Sequence, residues 1–283
     1  MRIILVFIIS LALCNDDEKY TFIWAKADVG KKSIYRYSLE TSFTVPGIGF
    51  IKYFEEYTDT IEYLGVEENF WKFKATQTDI KSDNYVNNME IMDYYRDAME
   101  NNPCYLYVKS SGFDDYVDHL EPVKEEDDYL QAAYEAAYMG IIRKPFRYPF
   151  DSGGVNVAVG DKWFHNHKNS KFYVNIGSPP SLMSSSETFT LKKVKEKKGG
   201  KIAIIERQGD EEIELRIAVD FLGKRRLLTG RATGVTDMTY RWNIDSGEML
   251  KVYAIVNLVG DFEMDDEIFH MKIFVRNISK KVQ

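Results

Sequence analysis

The sequence predicts a mainly β protein (α+β). It would be built as two related curved antiparallel sheets or half-barrels, with one or two helices packed on the first. Three observations point there. Apolar and polar residues alternate with a period of two through most segments. The chain is 45% hydrophobic and 14% aromatic, with 19 Tyr and 17 Phe, a composition that suits half-buried pleated surfaces and excludes disorder. Short matches also recur between the two halves. At 283 residues the chain has room for one large or two modest domains. The division expected is residues 1–14 as a signal peptide, 20–145 as a first β-rich repeat with helices, and 146–283 as a second β-rich repeat.

In the first half, Tyr20 to Trp24 is an aromatic strand, followed by a turn at Asp28-Val29-Gly30-Lys31-Lys32. Ile34 to Phe43 puts Tyr35, Tyr37 and Leu39 on one face and Arg36, Ser38 and Glu40 on the other. Tyr53 to Leu64 resumes the alternation. Glu67-Glu68-Asn69 makes a hairpin turn, and Trp71, Phe73 and Ala75 mark the return strand. Met89, Met92, Tyr95 and Met99 at helical spacing predict a helix over Val86 to Glu100, stopped by Asn101-Asn102-Pro103. Tyr105 to Val108 is a strand. From Pro122 a second helix is expected, with acidic first turns that suit the positive end of its dipole. Its packed face is Leu130, Ala133, Ala137 and Ile141.

After the connector Lys144 to Pro149, the second half opens at Val155 to Trp163. Strands are expected over Thr188 to Lys193, Lys201 to Arg207, Glu212 to Leu222, Thr239 to Ile244, Leu250 to Val259 and Ile268 to Ile278. Ser178-Pro179-Pro180 with Ser184 to Ser186 reads as a surface loop. Thr60 to Val66 matches Thr188 to Val194, Gly30 matches Gly160, and Tyr105 with Ser111-Gly112 matches Tyr240 with Ser246-Gly247. The offsets drift between 128 and 135, as short insertions in two copies of one unit would produce. Gly160 turns the chain there, Asp161 caps the turn and Trp163 anchors the first strand of the second unit.

The N-terminus carries the targeting signal. Arg2 precedes an apolar run from Ile3 to Leu13, too short to span a bilayer and suited to a secretory h-region. Ala12-Leu13-Cys14 fits ordinary cleavage before Asn15. Leu11-Ala12-Leu13-Cys14 fits a lipobox with Cys14 lipidated, apart from the bulky Leu13. Both endings stay open, and the expected location is periplasmic or extracellular. Cleavage removes one base and no acid, so the net charge moves from −7 to −8. An acidic exported chain is expected to be a poor partner for nucleic acid, whose phosphates call for a matching field of Lys and Arg. No later apolar run is long enough for a transmembrane helix. With Cys14 removed or lipidated, Cys104 stands alone and a disulfide framework is excluded. Oligomeric state is not legible.

Val159-Gly160-Asp161-Lys162-Trp163, Thr190 to Val194 and Asp245 to Leu250 carry a resemblance. With the Gly30 to Tyr37 strand, they are similar to a domain-of-unknown-function family of exported bacterial proteins and lipoproteins. Ser246-Gly247 is tighter than that family's usual hairpin spacing. The resemblance implies export and a β-rich fold, and it supplies no activity. At the level of fold alone, the chain also resembles curved half-barrel-plus-helix proteins that carry lipids across the periplasm.

Few constellations carry chemistry. His165 and His167, two apart on a strand, face one side and form the one metal-like spacing, with a third ligand missing. Cys104 has no base nearby to activate it. No Gly-x-Ser-x-Gly elbow, Walker A or Gly-x-Gly-x-x-Gly pattern occurs. Acidic pairs such as Asp114-Asp115 read as solvated turns. The aromatic surplus suggests instead a ligand groove between sheet and helix, formed by Tyr134, Tyr138, Trp71 and Phe73. The expected function is therefore a non-enzymatic envelope protein, without cofactor, that binds a lipid-like apolar ligand or a protein partner. The alternatives are a structural or assembly role without ligand, and, last, a hydrolase.

Overall fold

The computed structural model describes residues 18–22, 28–45, 49–68, 70–86, 89–90, 102–109, 117–122, 154–172, 179–221 and 224–282. Every regular element among them is a strand. β1 (Lys19–Phe22) and β8 (Val155–Ala158) pair as a small two-stranded sheet. The rest join one twelve-stranded antiparallel sheet. Its first meander is β2 (Lys32–Val45), β3 (Gly49–Glu67), β4 (Phe70–Val86), β6 (Cys104–Lys109) and β7 (Val117–Pro122), with β5 (Met89–Glu90) attached to β4. Its second is β9 (Lys162–Phe172), β10 (Ser181–Lys197), β11 (Gly200–Phe221), β12 (Lys224–Asn243), β13 (Glu248–Met264) and β14 (Glu267–Lys281). The last strand runs beside the first long one, from Lys272 opposite Thr44 to Lys281 opposite Tyr35. That ladder makes one sheet of the two meanders.

Strict alternation sets the two faces. Along β13 the buried residues Val252, Ala254, Val256 and Leu258 interleave with more exposed neighbours, and along β14 Met271, Ile273 and Val275 do the same. The inward residues form two clusters. One gathers Phe22, Tyr35, Tyr37, Tyr57, Ala75, Leu106, Phe189, Leu191, Ile205, Tyr240 and Trp242 at the end where β2 begins. The other gathers Leu39, Met183, Ile213, Leu215, Leu258, Phe262, Met271 and Ile273 toward the opposite end. The first cluster joins residues of both meanders, such as Tyr35 and Ala75 with Phe189 and Trp242, so the twisted sheet packs against itself there. The outward face is charged: β11 presents Glu206, Gln208, Asp210, Glu212, Glu214 and Arg216 there. A strand crossing lipid needs an outward apolar band instead. No helix among the described residues is long and apolar enough to cross a membrane.

The two long meanders begin alike. Gly30 (φ 86°) donates its N–H to Tyr63 O at 2.8 Å, Lys31 donates to Asp28 O, and Tyr63 donates to Lys31 O. Gly160 (φ 98°) donates to Leu191 O at 2.8 Å, Asp161 donates to Ala158 O, and Leu191 donates to Asp161 O. Both glycines sit at positive φ, where a side chain would be strained. A bulge follows at Tyr63/Gly65 in one hairpin and at Leu191/Lys193 in the other. The second turn is also capped, because Ala158 N–H donates to Asp161 Oδ2 at 2.9 Å.

Several expectations need correction. The helix expected over Val86 to Glu100 is not supported: Val86 closes β4, Met89 and Glu90 form β5, and the remainder lies outside the described residues. Met89, which opens the helical spacing, instead extends a sheet edge that is ready to pair. The helix expected after Pro122 lies outside the described residues, as do the leader at 1–14, Cys14 and the boundary at 145/146. Lys201–Arg207 and Glu212–Leu222 are not two strands but one unbroken β11. Ser184 to Ser186 belong to β10 rather than to a loop.

Candidate functional site: a charged belt inside the sheet

Between the two apolar clusters the inward face turns polar. On β10 and β11 the alternation that buries Phe189 and Ile205 also buries Glu187, Ser185, Arg207 and Glu211. Arg207 Nη2 donates to Glu187 Oε1 and to Glu211 Oε1, the latter at 2.8 Å, and Ser185 Oγ donates to Glu187 Oε1 at 2.9 Å. Gly209 lies opposite Glu187 and makes room for this arrangement. A Cβ there would stand 3.3 Å from Arg207 Nη2 and 3.4 Å from Ser186 O. Removing ions from water costs several kcal/mol each, offset only by close pairing.

The belt continues on other strands. Thr236 sits opposite Gly209, and its buried Oγ1 has no hydrogen-bond partner among the described residues. Ser279 Oγ and Gln77 Nε2 are likewise buried without one. Asn277 and Ser279 on β14 neighbour Leu39 and Tyr37 on β2. Tyr37 stacks on Tyr57, with centroids 4.9 Å apart and planes 11° from parallel. Buried Asp59 lies opposite Gln77. Burial, then the charge of Asp59, pushes the Tyr57 hydroxyl well above its usual range. The same two causes, in the same order, push the Cys104 thiol up. A thiol held protonated in this way has no thiolate to offer as a nucleophile.

The residues singled out in the sequence fare differently. Trp71 and Phe73 lie on the inward face of β4, half-buried against the first cluster, and Phe73 packs on Tyr63 at 5.3 Å. Tyr134 and Tyr138 lie outside the described residues, so the aromatic groove is not assembled from what is described. His165 is in register with Glu187, and its Nε2 is buried. His167 is in register with Ser185. Among the described residues no group of three or more His, Cys, Asp or Glu is placed to hold a metal ion. The Glu187–Arg207–Glu211 group itself escapes sequence reasoning. One signal does reveal it: Ala203, Ile205, Arg207, Gly209, Glu211 and Ile213 share a single parity.

No protein-family model matches the chain, and no curated protein does. Among solved structures, the crystal structure of Neisserial surface protein A (NspA) aligns with 88% of this chain and 96% of that one. The identity is 7% and the TM-score 0.18, too low to bear on architecture or function.

Proposed function

We propose that this is a non-enzymatic exported protein of the cell envelope that binds a lipid-like amphipathic ligand inside its curled sheet. On this reading the two meanders are copies of one ancestral unit, and the chain belongs to the exported domain-of-unknown-function family it resembles. The observation that carries the ligand is the set of polar side chains buried on the inward face beside the two apolar clusters. Thr236 Oγ1, Ser279 Oγ and Gln77 Nε2 each lack a hydrogen bond among the described residues, at about 1–3 kcal/mol apiece. A ligand with an apolar body and a polar group would satisfy them. The absence of an enzymatic role is part of the same proposal, and the burial of Cys104 removes one candidate nucleophile. Native mass spectrometry of protein isolated from its own envelope tests the reading. A lipid-sized adduct is expected, weakened in Thr236→Val/Ser279→Ala.

A second reading has its own support. Trp242, Arg207, Tyr240, Phe22 and Phe189 are all less than 2% exposed, so the protein's own side chains fill much of the interior. A structural or assembly role without ligand follows from that filling. Clean apo protein that captures an envelope protein partner would replace the first reading with this one.

A further inference from the structure

Strand register assembles, on the outward face, a row of bases that is scattered in the sequence. Lys193 on β10 is opposite Ile204 on β11, and Ile204 is opposite Arg241 on β12. Arg241 is opposite Lys251 on β13, Lys251 opposite Lys280 on β14, and Lys280 opposite Arg36 on β2. Four bases thus stand side by side on four adjacent strands, a spacing of about 5 Å at which like charges destabilise a sheet. Arg36, Lys193, Arg241 and Lys280 are exposed and Lys251 is half-exposed. None makes an ion pair among the described residues. Several acids at this end are taken by other lysines: Glu18 by Lys201, Glu62 by Lys32, Glu206 by Lys192, and Glu248 by both Lys31 and Lys281. In a chain with net charge −7, an uncompensated row that costs stability calls for an anionic partner.

The row's position selects the partner. Every base in it lies within a few residues of one end of its strand, the end where the β10–β11 hairpin projects. That hairpin places six lysines and one glutamate in residues 192–201. Together they form a collar around one end of a convex, curled sheet, which presents charge to a plane. A linear polyanion would instead call for a groove with stacking aromatics. Half-buried Ile204 and Ile278 and exposed Tyr253 border the row, the mixture of aliphatic, aromatic and basic groups that suits a bilayer interface. We propose that the collar of Arg36, Lys193, Arg241, Lys251 and Lys280 docks this end of the protein on an anionic phospholipid bilayer. The docking is independent of any ligand held inside the sheet.

Vesicle flotation of the full chain tests this with phosphatidylglycerol/phosphatidylcholine vesicles and with phosphatidylcholine alone. The apolar run at 3–13 is common to every arm, so the reading is the excess binding to the anionic vesicles. Expected is a clear excess, reversed by salt. Arg36→Ser/Arg241→Ser/Lys251→Ser/Lys280→Ser should weaken it several-hundred-fold, at about five-fold per charge, without lowering the melting temperature. Lys171→Ser/Lys272→Ser, which removes two exposed bases far from the collar, should leave binding unchanged. Three results overturn the proposal: equal binding to both lipids, equal loss in the two variants, or no vesicle binding by a chain that retains heparin through these residues. The last would identify a linear polyanion as the partner instead.

Discussion

Arg207 is fully buried and holds two carboxylates that are themselves almost fully buried. Its substitution separates two effects. Arg207→Met strips the shared cation from Glu187 and Glu211 and should cost about 3–5 kcal/mol, whereas Glu187→Leu/Arg207→Met/Glu211→Leu should be neutral or stabilising. Urea denaturation of both variants checks this, and equal destabilisation of the two would show that shape, not charge, makes the group matter. Cys104 gives a pH signature. Its thiol is raised in the folded state by burial and by Asp59, while the unfolded thiol ionises near about 8.5. The unfolded chain then holds fewer protons, so stability falls as pH rises above that value, by up to about 1.4 kcal/mol per pH unit. Tyr35 and Tyr57, raised first of all by burial, join the decline above about pH 10. Denaturation midpoints of wild type and Cys104→Ala should diverge between these two values. Parallel curves would mean that the thiol ionises equally well in the folded protein.

Among the elements, the strands are most legible in the sequence where the interior is apolar. Ile34 to Phe43 and Ile268 to Ile278 alternate cleanly because their inward residues are Tyr35, Tyr37 and Leu39, or Met271, Ile273 and Val275. Legibility fails at the belt. Ser184 to Ser186 suggest a loop and Gln208-Gly209-Asp210 suggest a turn because Ser185, Glu187, Arg207, Gly209 and Glu211 stand where apolar residues are expected. Local chemistry there argues against a strand, and pairing with neighbouring strands outweighs it. The start of β12 is hidden for a related reason: Gly230, Thr233, Gly234 and Thr236 give a weak apolar signal. The basic row is illegible in a different way. Arg36 and Lys280 lie at opposite ends of the chain, and only the β14–β2 register sets them side by side. By contrast, the match of Gly30 with Gly160 can be read directly from sequence, because a turn that needs positive φ leaves a glycine as its trace.

At the scale of the whole molecule, the β14–β2 ladder decides how the chain unfolds. The first apolar cluster takes Tyr35, Ile61, Ala75 and Leu106 from one meander and Phe189, Ile205, Tyr240 and Trp242 from the other. Glu248 adds a clasp at the same end. Its carboxylate meets Lys31 from the start of β2 and Lys281 from the end of β14, each at 2.7 Å. Burial works against its charge, yet those two lysines still hold its pKa below the usual range. Neither meander can therefore release its partner without exposing a shared apolar interior and two unpaired strand edges. A single cooperative transition is expected rather than two. Trp71 reports on the first meander, while Trp163 and Trp242 report on the second. Fluorescence of Trp24→Phe/Trp71→Phe and of Trp24→Phe/Trp163→Phe/Trp242→Phe, followed in urea beside far-ultraviolet circular dichroism, should give, for each variant, one midpoint shared by both probes. Two separated midpoints within one variant would show that the meanders fold as independent units, and the continuous sheet would then be a docking of two domains rather than one structure.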